Sequence, residues 1–281
     1  MKMLLLIALL FLLVLLADLF IERFLLLTRC EIIPLKELPR EFDGLRILQI
    51  SDLHHRTFGK DNSRIIKRVQ KIKPDLIAIT GDLVSRDQRD FTAIGRFCKA
   101  LTDTAPVYFV PGNHELDLPA KVQETYLKTL QGAGVIVLQN TSRLLKKGKG
   151  ILSLTGTTLD TSVYRDAHFR YEHLNPFSKE ELVQLIGERQ RCTVLLAHNP
   201  LIAQVYADWH ADLVLSGHVH GGVVQLPFIG GVLSPERKFF PRYSKGLYRI
   251  GCTKLYVSAG LGKLRLWNPP EIHLLTLRIE L

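Results

Sequence analysis

Four cysteines, Cys30, Cys98, Cys192 and Cys252, are spread so widely through the 281-residue chain that no two form a CxxC pair. That spacing argues against a zinc ribbon or a disulfide framework. Cys98 and Cys192 lie in or beside apolar segments and read as small core residues. Low-complexity tracts are missing, as is any repeat of solenoid length, so neither a disordered chain nor a solenoid is expected. A long basic block is missing too. The net charge of +10 is dispersed, and its densest cluster, residues 144–149, reads as a solvated hairpin turn. A basic balance favours anionic partners such as phosphorylated substrates or acidic lipid. Without a long basic groove, nucleic acid is not an expected partner, and a nuclease is the weaker alternative. Oligomeric state leaves no trace in the sequence.

What is present begins with an unbroken apolar run, Met3–Ala17, preceded by Lys2. The run is slightly short of the ~20 residues that span a bilayer. Adding Leu19–Ile21 reaches that length and places Asp18 near an interface, where hydration is cheap. No small-x-small cleavage site follows, which disfavours a cleaved signal peptide. A core helix has no need of fifteen consecutive apolar residues on every face. Residues 1–30 are therefore expected to be a membrane anchor, with Leu19–Leu27 as an alternative interfacial helix. Residues 31–44 read as a linker and residues 45–281 as one domain. Lys2 and Arg23, Arg29, Lys36 and Arg40 flank the two ends of the anchor, so the charge rule gives no clear side for the domain.

From Leu45 onward short apolar runs alternate with helical segments, the pattern of an α/β domain with a central sheet. Strands are expected at 46–50, 75–80, 106–110, 135–138, 151–155, 193–197, 212–215, 255–258 and 272–279. Helices are expected at 63–73, 91–101, 121–130 and 178–189, the last with Ser178 and Glu181 as a capping box. Five strands end in Asp52-x-His54, Gly81-Asp82, Gly112-Asn113-His114, His198-Asn199-Pro200 and Gly217-His218-x-His220. Ligands bind beyond the carboxyl ends of strands in such sheets. On extended chain, D-x-H and H-x-H spacings aim both side chains at one face. Mixed carboxylate, imidazole and amide donors suit Mn, Fe or Zn rather than Ca.

These blocks, in this order, resemble the calcineurin-like metallophosphoesterase family, and the resemblance runs from Leu45 to the C-terminus. Gly217–Gly222, Leu226-Pro227 and Asn268-Pro269-Pro270-Glu271 resemble its membrane-associated bacterial branch. A narrower resemblance is to UDP-2,3-diacylglucosamine pyrophosphohydrolases. The family implies a four-layer α/β/β/α sandwich and two divalent metal ions, Mn first among them, with Fe or Zn as alternatives. It implies that Asp52, His54 and His220 hold one ion, that Asn113, His198 and His218 hold the other, and that Asp82 bridges both. His114 would lie near the scissile phosphate and steady the developing charge or protonate the leaving oxygen. The implied reaction is hydrolysis of a phosphodiester or pyrophosphate by water activated between the metals, on a substrate that is lipid-linked if the anchor sets its location. His55, Arg56 and Arg265 are candidate phosphate contacts. Phe228, Phe239, Phe240, Tyr243 and Trp267 read as core packing, with an acyl pocket as the alternative. A non-catalytic membrane scaffold remains a reading from another class, although no metal ligand is missing.

Overall fold

The computed structural model describes residues 1–164, 176–226, 229–234, 238–262 and 265–280. The first half comprises α1 (Lys2–Phe24), β1 (Leu27–Leu35), β2 (Arg46–Ile50), α2 (Ser63–Ile72), β3 (Leu76–Thr80), α3 (Thr92–Thr102), β4 (Val107–Val110), α4 (Asn113–Leu116) and α5 (Ala120–Gly132). The chain continues through β5 (Ile136–Val137), β6 (Thr141–Lys147), β7 (Gly150–Thr157), α6 (Lys179–Ile186), β8 (Thr193–Ala197), α7 (Ala203–Asp208) and β9 (Leu213–Ser216). It closes with β10 (Val224–Leu226), β11 (Gly230–Leu233), β12 (Gly246–Ile250), β13 (Thr253–Val257) and β14 (Glu271–Ile279).

Two six-stranded sheets carry the fold, in the orders β1-β14-β2-β3-β4-β5 and β12-β13-β9-β8-β7-β6. Strand period divides their side chains between two faces. Ile47, Ala78, Tyr108 and Val110 of the first sheet meet Leu154, Val194, Leu196, Leu213 and Leu215 of the second. Leu48, Ile50, Ile77, Ile79 and Phe109 point the other way, onto Ile65, Val69, Phe97, Leu101 and Leu130 of α2, α3 and α5. Leu195, Val214 and Leu255 point outward from the second sheet onto α6 and α7 through Leu182, Ala203 and Tyr206. Three cores make four layers, the α/β/β/α sandwich expected. Each fully buried Leu or Ile in them contributes roughly 1.5–3 kcal/mol.

The segment expected as a linker begins inside the first sheet. Residues 27–35 form β1, which pairs in parallel with β14 along its whole length, from Leu27 opposite Glu271 to Leu35 opposite Ile279. As an edge strand it tolerates Pro34 and exposes Arg29 and Glu31, so it lacks the apolar alternation of an inner strand. The 144–149 cluster is the tip of the β6–β7 hairpin.

Helix α1 runs unbroken past Asp18, with leucines exposed along its length, and its composition and length suit a membrane span. Its last turns dock on the domain. Asp18 Oδ2 accepts the main-chain N–H of Trp267 at 2.9 Å and Glu22 Oε1 accepts the main-chain N–H of Asn268 at 2.5 Å. Leu26, just beyond, is buried against the α2 core.

Candidate metal centre

Asp52, His54, Asp82, His198, His218 and His220 lie in the loops beyond β2, β3, β8 and β9, and Asn113 opens α4 just beyond β4. The loops are sewn together by main-chain bonds. Asp52 N–H donates to Gly81 O, His54 N–H to Asp82 O, Gly217 N–H to His198 O and Leu261 N–H to Ser51 O.

Backbone strain aims the side chains. Asp52, His54, Asp82, His218 and His220 have φ of 54°, 51°, 51°, 71° and 54°. Both D-x-H and H-x-H therefore converge through left-handed turns, not through the period of an extended strand as the spacing predicts. Glycines leave the room that this needs. A Cβ on Gly112 would lie 2.3 Å from Asp82 Oδ1, and one on Gly217 2.4 Å from Asp52 Oδ2.

The donor atoms of Asp52, His54, Asp82 and His220 lie within 4.8 Å of one another, and so do those of Asp82, His198 and His218. Asp82 belongs to both groups. Its Oδ2 is 3.7 Å from His54 Nε2 and 3.3 Å from His198 Nε2. His220 Nε2 is 3.5 Å from Asp52 Oδ1 and 3.3 Å from His54 Nε2. Asn113, one residue before His114, is buried. Its Oδ1 and Asp52 Oδ2 are buried acceptors without a hydrogen-bond partner among the described residues. Buried acceptors left open in this way, set among converging imidazoles, fit divalent cations. His198 Nδ1 is 2.7 Å from Thr80 O. With Nδ1–H donating there, Nε2 keeps its lone pair for the cluster.

Electrostatics point the same way. Burial opposes ionised Asp82, but His198, His114 and His54 outweigh it and hold the carboxyl well below its ordinary range. Burial also opposes a charged His198, yet Asp82 and Asp52 push it up to about 10. The buried carboxylates thus demand positive charge. His220 and His54 are driven by burial toward the neutral, ligand-competent form.

His114 stands at the rim. Its ring meets the His54 ring edge-on at 4.4 Å, and its N–H donates to Asp82 Oδ1 at 2.9 Å. Burial lowers it to about 4, so it is neutral at pH 7. The Arg86 guanidinium lies 3.0 Å from His114 Nε2 and is part exposed. Arg86 follows the Gly81-Asp82 block by four residues and went unremarked in the sequence, where nothing sets it apart from other arginines. Glu115 closes the Gly112-Asn113-His114 block and has a bracing role. Its carboxylate accepts the N–H groups of Asp82, Gly112 and Val84 at 2.8, 2.8 and 3.1 Å, joining the loops after β3 and β4. Its place three residues after Gly112 was the legible signal, that of an N3 glutamate reaching back to the first N–H of a helix. Tyr164 also escaped notice, and its buried ring packs edge-on to His218 at 5.1 Å.

The expected phosphate contacts are placed differently. Arg265 is buried, and its guanidinium donates to the main-chain oxygens of Gly262, Ala259 and Asn268. Arg56 is buried too and donates to Gly262 O and Glu22 O. Both cations brace loops behind the ligands instead of facing a substrate. His55 is exposed and pairs with Asp87 at 2.8 Å. Of the aromatic residues read as packing, Tyr243 is buried and Trp267 half-buried, whereas Phe239 and Phe240 are exposed to solvent. Pro227 and Phe228 lie outside the described residues.

Known proteins with the same features give this arrangement its class. The profile of the calcineurin-like phosphoesterases matches residues 45–222. Phosphodiesterase YaeI of Escherichia coli is 31% identical over 241 residues, covering 83% of this chain and 82% of that protein. UDP-2,3-diacylglucosamine pyrophosphatase LpxG of Chlamydia muridarum is 26% identical over 288 residues, covering 84% and 85%. Among solved structures, the phosphopantetheinyl hydrolase PptH of Mycobacterium tuberculosis superposes with a TM-score of 0.50 at 14% identity, over 79% of this chain and 90% of that one, and so shares the fold. The sandwich and its strand-end cluster define a metal-dependent phosphoester hydrolase. The chain belongs to the calcineurin-like phosphoesterase family.

Proposed function

We propose that the protein is a membrane-anchored hydrolase of phosphodiester or pyrophosphate bonds in lipid-linked substrates. The sharing of Asp82 between the two donor groups is the observation that carries the chemistry. Asp52, His54 and His220 would hold one divalent ion, and Asn113, His198 and His218 the other, with Asp82 touching both. Mn suits this oxygen-and-imidazole set, as do Fe and Zn. Ions held there supply Lewis acidity toward phosphate oxygens and lower the pKa of bound water.

The remaining work falls to side chains at the rim. Neutral His114 can donate a proton to the leaving oxygen or a hydrogen bond to the phosphoryl group. Arg86 beside it offers guanidinium donors to the same phosphate, in the role expected of Arg56 or Arg265. The lipid part of the reading rests on α1 and on its docking to the loop next to the cluster. A narrower reading, cleavage of a nucleoside diphosphate joined to a diacylated sugar, is favoured by the likeness to a relative with that activity in its name.

The test uses the full chain in detergent, loaded with Mn, against monoester, diester and lipid-pyrophosphate substrates. Asp82→Ala is expected to lose both metals and all hydrolysis. His114→Ala is expected to retain both metals while kcat falls by roughly 10²–10⁴-fold. Equal metal loss in the two variants would contradict the division of roles. Faster hydrolysis of soluble diesters than of lipid pyrophosphates would contradict the lipid reading.

A further inference from the structure

The positive charge that looks dispersed along the sequence is gathered by the fold at the root of α1. Helix α2 buries Ile65 and Val69 and exposes Arg64, Lys67, Arg68 and Lys71. Positions i, i+3, i+4 and i+7 share one face of a helix. The exposed face of α2 is therefore a single cationic stripe, with no acidic residue in the helix to offset it. The nearest preceding acid, Asp61, is taken up by Arg96 at 2.9 Å.

This stripe abuts the exit of the apolar helix. Arg64 donates to Phe24 O, and Arg68 donates to Leu26 O at 3.3 Å and to Thr28 Oγ1 at 3.1 Å. On α1 itself, Asp18 and Glu22 face the domain while Phe20, Ile21 and Phe24 are exposed, at 66%, 54% and 52%. Arg23 is exposed among them. An apolar surface thus continues down to the level of the domain, and cationic side chains begin where it stops.

We infer that α2 and the last turns of α1 form a binding surface for anionic lipid headgroups, which seats the domain flat on the bilayer. This inference rests on the anchor reading above and adds to it a lipid preference and a fixed pose. Two arguments select a lipid surface as the occupant. The stripe is continuous with a helix long and apolar enough to span a bilayer. Its charge also complements anionic headgroups, which attract basic side chains held near the membrane surface.

The pose has a consequence for the site. Asn268, held by Glu22, donates from Nδ2 to His220 O at 2.6 Å and to Gly222 O at 2.8 Å. The loop bearing His220 is therefore joined directly to the helix that enters the membrane, and its distance from the headgroups is fixed, with no flexible tether between.

The test reconstitutes the full chain in nanodiscs of zwitterionic lipid, and of the same lipid with roughly one-third anionic lipid. Lysine acetylation by a water-soluble reagent is then read by mass spectrometry. In anionic discs Lys67 and Lys71 are expected to be labelled roughly threefold or more slowly, with the rate restored by high salt. Lys146 and Lys147, exposed in the β6–β7 hairpin, should not change. Equal labelling in both discs, with the protein incorporated, overturns the stripe and leaves the anchor standing. Failure to enter either disc overturns both. Protection by a DNA duplex in zwitterionic discs, with none from anionic lipid, assigns the stripe to nucleic acid and overturns the inference.

Discussion

Asp52, His54, Asp82, His218 and His220 hold their backbones in the left-handed region, at a cost of about 1–3 kcal/mol each for ordinary residues. Asp and His tolerate that region better than bulkier types. The strain survives because neighbouring glycines give way. Gly217→Ala would put a Cβ 2.0 Å from Ser51 Oγ and 2.4 Å from Asp52 Oδ2. Metal content, measured by elemental analysis, is expected to fall at least about tenfold, with about 1–3 kcal/mol of stability lost. Gly132→Ala, in open space at the end of α5, should be neutral or slightly stabilising. The members of the cluster were legible because each block ends an apolar strand. Their backbone conformation was not, since a two-residue spacing reads equally as strand or turn. The main-chain partners of Arg56 and Arg265 were hidden for a related reason: a sequence position near a site does not say whether a guanidinium points toward solvent or toward a carbonyl.

At the scale of elements, α1 and the loop at Trp267 and Asn268 act together. Removing the Glu22 carboxylate leaves the buried Asn268 N–H without its acceptor, and Asn268 in turn holds the carbonyl of His220. Glu22→Ala is expected to weaken Mn binding by roughly tenfold, the equivalent of one lost hydrogen bond to a charged group. Glu22→Gln retains an acceptor oxygen and should recover most of the affinity. Titrating Mn into the detergent-solubilised full chain checks both. Equal affinities in all three proteins would show that the helix merely leans on the domain. The helix itself was plain from its composition, and most inner strands from their apolar runs. Strand β1 was hidden because its partner, β14, lies more than 240 residues away, and Pro34 with exposed charges resembles a linker.

For the whole molecule, the buried carboxylates Asp52 and Asp82 make stability depend on bound cations. A site filled at a hundredfold excess over its Kd adds about 2.7 kcal/mol. At about 2–4 °C per kcal/mol in a protein of this size, chelation should lower Tm by roughly 5–10 °C for each site emptied. Thermal unfolding with and without EDTA measures this, and Asp82→Ala should show little further response. The four layers could be anticipated from the alternation of elements only with help from the family resemblance, because apolar runs do not say which sheet a strand joins.

Strand β14 also sets the order in which the molecule is completed. It lies between β1 and β2 in the sheet, although it is the latest strand in the chain. During synthesis the apolar helix and β1 emerge before β2, and a gap stays open beside β2 until residues 271–279 follow. Under the anchoring proposed above, α1 would reach a membrane well before the domain attached to it closes. The β1 side of the first sheet is completed only then, with β14 as the closing piece.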